Sequence, residues 1–150
     1  MVILGIRSGM RAVIIDKVNS AFDITVMSEV GMRIPLLAGA GGKAMLSLLS
    51  DDEIDRILSK HELKRFTPFS CTNKRQYKSM ILETRKTGIA FDMEEYIEGI
   101  RAFAVPLNFN RKDIVAALWV VGLRGQIKDE QIGSYAAYLK RIAEKLETQF

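Results

Sequence analysis

The chain opens on two apolar, β-branched-rich runs, Met1–Arg7 and Met10–Val18, split by the turn signal Ser8-Gly9-Met10. A link that short cannot carry a helical crossover, so the two runs must pair antiparallel. A third segment, Phe22–Met27, alternates apolar and polar residues after a break at Asn19 and Ser20. It reads as a third strand in meander order. This opening excludes a doubly wound parallel sheet, which needs a helix between successive strands.

Helical signals follow. Lys43–Leu49 reads as a short helix behind Pro35 and a glycine cluster. Ser50 with Glu53 forms a capping box for the next helix, whose inner face is Ile54, Ile57 and Leu58. Thr67–Thr72 is a loop. Asn73 caps a longer helix with Tyr77, Met80, Ile81 and Thr84 on one side, and Gly88 stops it. Strands then return at Ile89–Phe91, Ile100–Phe109 and Ile114–Val121, the last two joined by a hairpin-like turn at Asn110–Asp113. Asp129–Leu146 closes the chain with apolar residues at helical spacing. Strands, helices, strands, helix is the order of an α+β domain with an antiparallel sheet. The 150 residues suit a single domain, 1–150.

Other features narrow the class. No apolar run reaches the roughly 20 residues of a membrane span, and no signal-peptide layout stands at the N-terminus. A lone Cys71 fits a reducing compartment, so a cytoplasmic protein without membrane contact is expected. The net charge of +4 is modest. Lys64 to Lys86 holds seven basic residues against Glu83 alone, which reads as a solvated helix face. Without a recognition helix or interleaved aromatics, the chain itself is not expected to read DNA. His61 and Cys71 are too few for a zinc site and lack a triad partner, so neither metal, cofactor nor catalytic residue is expected. Glu94 and Glu95 are expected to face solvent or a strand end, leaving Asp92 as the inward carboxylate.

The glycine cluster Gly39, Ala40, Gly41, Gly42 before Lys43 resembles a phosphate cradle but fails both nucleotide patterns. Leu37 stands where a Walker loop needs glycine, and Ala44 where it needs a hydroxyl. Gly39, Gly41 and Ala44 satisfy a loose dinucleotide fingerprint, yet helix follows helix with no crossover to a parallel strand. Two readings remain. The glycines make a tight turn against the sheet, or the helix start offers unpaired N–H donors and a positive dipole end to a carboxylate.

Two ordered motifs then point to a family. The first runs through Gly31, Ile34, Pro35, Leu36, Ala38, Gly42, Lys43 and Ala44. The second runs through Gly88, Ala90, Asp92, Glu94, Glu95, Gly99, Ala104 and Pro106, with Phe66-Thr67-Pro68 and Arg85-x-x-Gly88 between them. Together they resemble the effector-binding domain of IclR-type bacterial transcriptional regulators over nearly the whole chain. The resemblance implies a GAF-like fold, a curved antiparallel sheet with helices on its faces and a pocket on one side. It also implies homodimers or homotetramers, and operator DNA bound only through an N-terminal winged helix-turn-helix domain that has no counterpart here; the chain reads as the regulatory half.

By the same resemblance the pocket holds a small-molecule carboxylate effector. Ile24, Val26 and Ile34 match its apolar wall. Ala40 and Gly41 match the loop whose amides hold the carboxylate. Asp92 matches a polar pocket residue, and Ile100 and Ala102 line the cavity from the next strand. The sequence departs at Trp119 and Val121, where many members carry small hydroxyl residues, and at Ala102, where cysteine is frequent. Trp119 either suits the pocket to a flat aromatic acid or fills part of it as core. Rival expectations are a GAF-like cysteine-dependent reductase, disfavoured by the single thiol, and a ligand-free oligomerisation module.

Overall fold

A computed structural model describes residues 1–19 and 28–149. Ten elements follow one another: β1 (Val2–Ser8), β2 (Arg11–Val18), β3 (Arg33–Pro35), α1 (Gly39–Leu46), α2 (Asp51–Lys60), α3 (Lys74–Thr87), β4 (Ala90–Met93), β5 (Ile100–Leu107), β6 (Ala116–Leu123) and α4 (Asp129–Gln149). The strands form one six-stranded sheet in the order β3-β2-β1-β6-β5-β4, with every neighbour antiparallel. The sheet curls into a half-barrel. The expected strand at Phe22–Met27 lies outside the described residues.

In β5 and β6, alternation sends side chains to two covered faces, which is why these strands are almost wholly apolar, whereas β2 keeps one face exposed. Ile3, Ala12, Ile14, Ala102, Ala104, Ala117 and Trp119 pack with α1, α2 and α3 on one face. Phe103, Val105, Leu107, Ala116 and Leu118 meet Ala136, Leu139 and Ala143 of α4 on the other. β1 and β6 run side by side at the centre, with Ile3 opposite Trp119 and Gly5 opposite Ala117. This pairing joins the two ends of the chain.

The helix caps follow the sequence. The Ser50 hydroxyl accepts from the Glu53 amide and Asn73 Oδ1 from the Gln76 amide, and Gly88 ends α3 with φ at +79°. Helix α1 departs from expectation: it spans Gly39–Leu46 rather than Lys43–Leu49. Glycine is a poor helix former, but here tertiary contact overrides propensity. A Cβ at Gly42 would stand 1.9 Å from the Leu36 carbonyl oxygen, so only glycine lets the helix begin this close to β3. The basic residues of the 64–86 stretch are exposed, as expected, apart from the half-buried Lys78. Arg85 donates to the Ser47 and Leu49 carbonyls at 3.2 and 2.7 Å and to Asp51 at 2.6 Å, closing the α1–α2 turn against α3.

Candidate binding site

A cavity of about 140 Å³ lies between the first turn of α1 and the sheet. Ala38 to Gly42 form its roof. Ile3, Ala12, Ile34, Ile100, Ala102, Trp119 and Val121, one or two from each of five strands, form the floor and walls. Asp92, at the end of β4, closes one side with Tyr96 and Ile97; Ser28, Met32 and Arg33 close the other. Eight residues singled out in the sequence thus line one space: Ile34, Ala40, Gly41, Asp92, Ile100, Ala102, Trp119 and Val121. Ile24 and Val26 lie outside the described residues.

Sequence reasoning missed Ile3, Ala12, Ser28, Met32, Arg33, Tyr96 and Ile97. The inward phase of β1 and β2 could have given Ile3 and Ala12. Nothing local marked Tyr96 and Ile97, which sit in an irregular turn.

The roof is a helix start whose residue at the cap, Ala38, offers no side-chain acceptor. Among the described residues, no loop or strand carbonyl accepts from the Ala40 or Gly41 amides. Both residues line the cavity, and their amides belong to the helix-start donors that lack an intrahelical acceptor, at the positive end of the helix dipole. Gly41 makes this possible on the inner side. A Cβ there would lie 2.9 Å from Trp119 Cε3, so the indole rests directly on the backbone of α1.

Asp92 is the buried carboxylate of the site, 4% exposed. Its Oδ1 accepts from the Glu95 amide at 2.7 Å. Loss of water pushes its pKa up to about 6; the Glu95 carboxylate adds to the rise, while amide hydrogen bonds and the Lys43 ammonium oppose it. Near neutral pH it holds a charge with little to spare.

Of the two expectations for the neighbouring acids, solvent is overturned, while Glu94 does sit at a strand end, directly after β4 and against residues flanking β5 and β6. Neither Glu94 nor Glu95 is a solvated carboxylate. Glu94 is 6% exposed, and its Oε1 accepts from the Gly99 amide at 2.9 Å and from Arg124 at 3.3 Å. Glu95 Oε2 lies 2.5 Å from Nζ of Lys43, which is itself 2% exposed and also donates to the Phe91 carbonyl at 2.7 Å. The Thr67 and Ser70 hydroxyls donate to the Glu94 and Glu95 carbonyls, each at 2.6 Å. The turn carrying Tyr96 and Ile97 is thus tied both to α1 and to the Thr67–Ser70 loop.

Among the described residues, the cavity lining contains no cysteine, histidine or lysine. Cys71 stands apart, its thiol donating to the Asn73 carbonyl at 3.5 Å. No group of acids, histidines and cysteines able to hold a metal ion occurs among the described residues. None of the helices there is long and apolar enough to cross a membrane.

A curled antiparallel sheet covered on both faces by helices, with a ligand-sized hollow under a helix start, defines a domain of the GAF-like α+β class. More specifically, residues 1–148 match the family model described as bacterial transcriptional regulator IclR C-terminal, and the chain belongs to that family. It is 29% identical over 138 residues to the HTH-type transcriptional regulator XynR of Escherichia coli, covering 92% of this chain and 55% of that protein. The chain spans about half the length of the curated relatives it matches. Those relatives are transcriptional regulators, not enzymes.

Among solved structures, the Thermotoga maritima IclR superposes with a TM-score of 0.90 at 34% identity, over 99% of this chain and 60% of that one. A double mutant of the PobR inducer-binding domain from Acinetobacter, in complex with 3-hydroxybenzoic acid, superposes with a TM-score of 0.86. Its 22% identity, over 97% of this chain and 86% of that one, is a likeness of fold.

Proposed function

We propose that this domain senses a small organic acid for a transcriptional regulator of the cytoplasm. The acid's carboxylate is held by the Ala40 and Gly41 amides, with its body among Ile34, Ile100, Trp119 and Val121. The observation that carries this reading is the first turn of α1. It faces an apolar hollow with no side-chain cap of its own, and a carboxylate meets both its N–H donors and its dipole. The apolar wall of Ile34, Ile100, Ala102 and Val121 favours a hydrocarbon or aromatic body over a sugar. A domain of this fold taken with 3-hydroxybenzoic acid supports the same class.

Binding transmits a signal by stabilising one arrangement of α1 and the 94–97 turn. DNA contact belongs to a helix-turn-helix domain of the full-length regulator, and dimers or tetramers of the effector domain carry the coupling to the operator. The names of the HTH-type relatives, and the half of their length that this chain spans, support that division.

Thermal unfolding against a panel of organic acids tests the reading. An acid at a hundred times its Kd should stabilise the domain by about 2.7 kcal/mol. The matching primary amides should not shift the melting temperature. A panel in which no acid acts, or in which amides act as well as acids, removes the proposal.

A further inference from the structure

We infer that Trp119 is the specificity-determining residue of the cavity, and that it limits the ligand to acids whose body is no larger than a single six-membered ring. The inference rests on the effector reading above and adds to it a size limit and the residue that imposes it.

The indole is held from two sides by backbone. A Cβ at Gly5 on β1 would lie 2.5 Å from Cη2 and 2.8 Å from Cζ3 of the ring. A Cβ at Gly41 on α1 would lie 2.9 Å from Cε3 and 3.0 Å from Cδ2. Real Cβ atoms do not approach this closely, so two glycines far apart in sequence form a socket that only their missing side chains allow. Trp119 also sits in the middle of β6, between Ile3 of β1 and Ala104 of β5. The ring therefore cannot swing toward the sheet or toward α1 to admit a longer ligand.

The remaining space is about 140 Å³. A protein cavity of about 150 Å³ accommodates benzene, so the apolar part of the hollow takes one ring while the acid group reaches the α1 amides at its rim. Two fused rings would have to displace the indole, and the packed backbone at positions 5 and 41 leaves it nowhere to go.

Trp119 is the single tryptophan of the chain, so intrinsic fluorescence reports directly on the cavity. Benzoate and 2-naphthoate are titrated into the wild-type domain by fluorescence and calorimetry, and into Trp119→Ala and Trp119→Phe by calorimetry. In the wild type, benzoate should shift the emission, and naphthoate should bind at least about tenfold more weakly, a gap of about 1.4 kcal/mol. Trp119→Ala should reverse that order. Trp119→Phe preserves most of the packing, guards against a misfolded alanine variant, and should fall between the two. Equal binding of both acids by the wild type, or a preference unchanged in both variants, overturns the size limit while the effector reading stands. If neither acid, nor acetate or butyrate, binds any of the three proteins, both readings fall.

Discussion

Nζ of Lys43 lies 2.5 Å from Glu95 Oε2 and 2.7 Å from the Phe91 carbonyl, in a pocket of protein that leaves the lysine 2% exposed. One side chain thereby joins the helix that roofs the cavity to the turn that closes its side. It also covers a carbonyl on β4, one of the two edge strands of the sheet. An unpaired charge in such surroundings is costly, and the ammonium is satisfied only because both acceptors reach it.

Removing that ammonium strands the Glu95 carboxylate, whose side chain keeps 17% of its exposure. Lys43→Met should destabilise the domain by about 2–4 kcal/mol in urea unfolding. Adding Glu95→Gln to it should recover part of the loss, because the uncompensated charge is gone. A double variant no more stable than Lys43→Met would show that packing of the lysine stem, not charge, is what matters.

Asp92 makes stability depend on pH in a direction unusual for a carboxylate. Its folded pKa of about 6 stands above the ordinary value of 3.8, so the folded chain holds the proton more tightly than the unfolded chain. The stability this contributes is complete below about pH 4 and is lost as pH rises through about 6, at most about 3 kcal/mol. Asp92→Asn keeps an acceptor for the Glu95 amide and cannot ionise. Compared over pH 4 to 7, the wild type should lose stability relative to the variant, and Asp92→Asn should be the more stable at pH 7. Parallel profiles would mean that Asp92 titrates as if in water.

The Tyr77 hydroxyl is buried and has no hydrogen-bond partner among the described residues. Burial also drives its pKa upward. A buried, unsatisfied hydroxyl costs about 1–3 kcal/mol relative to an apolar group of the same shape. Tyr77→Phe should therefore raise the melting temperature, and a clear drop would reveal a polar partner for this group.

Gly42 offers the sharpest steric test. With the Leu36 carbonyl oxygen 1.9 Å from the place of a Cβ, Gly42→Ala forces α1 away from β3. Alanine is the better helix former by about 1 kcal/mol, so local propensity predicts a gain. Overpacking against backbone predicts a loss of about 3 kcal/mol or more, and should win. Urea midpoints of the two proteins decide the sign.

Much of this architecture was legible in the residues because the signals are local. Ser8-Gly9-Met10 is too short for anything but a hairpin. Ser50 with Glu53 and Asn73 with Gly88 mark helix ends through hydrogen bonds that reach only a few positions along the chain. The family resemblance carried by the ordered motifs around Pro35 and Asp92 pointed to eight described residues that line one cavity.

What sequence by itself determined, then, is the run of elements apart from β3, which was not expected at Arg33–Pro35, and the antiparallel pairing of the first two strands. The tertiary structure alone decided where α1 begins, that Glu94 and Glu95 turn inward, and that Gly5 and Gly41 together cradle Trp119. The reason is physical. Caps and periodicity are interactions between neighbours in the chain, whereas the start of α1, the Lys43–Glu95 pair and the indole socket depend on desolvation and steric contact between residues that only folding brings together.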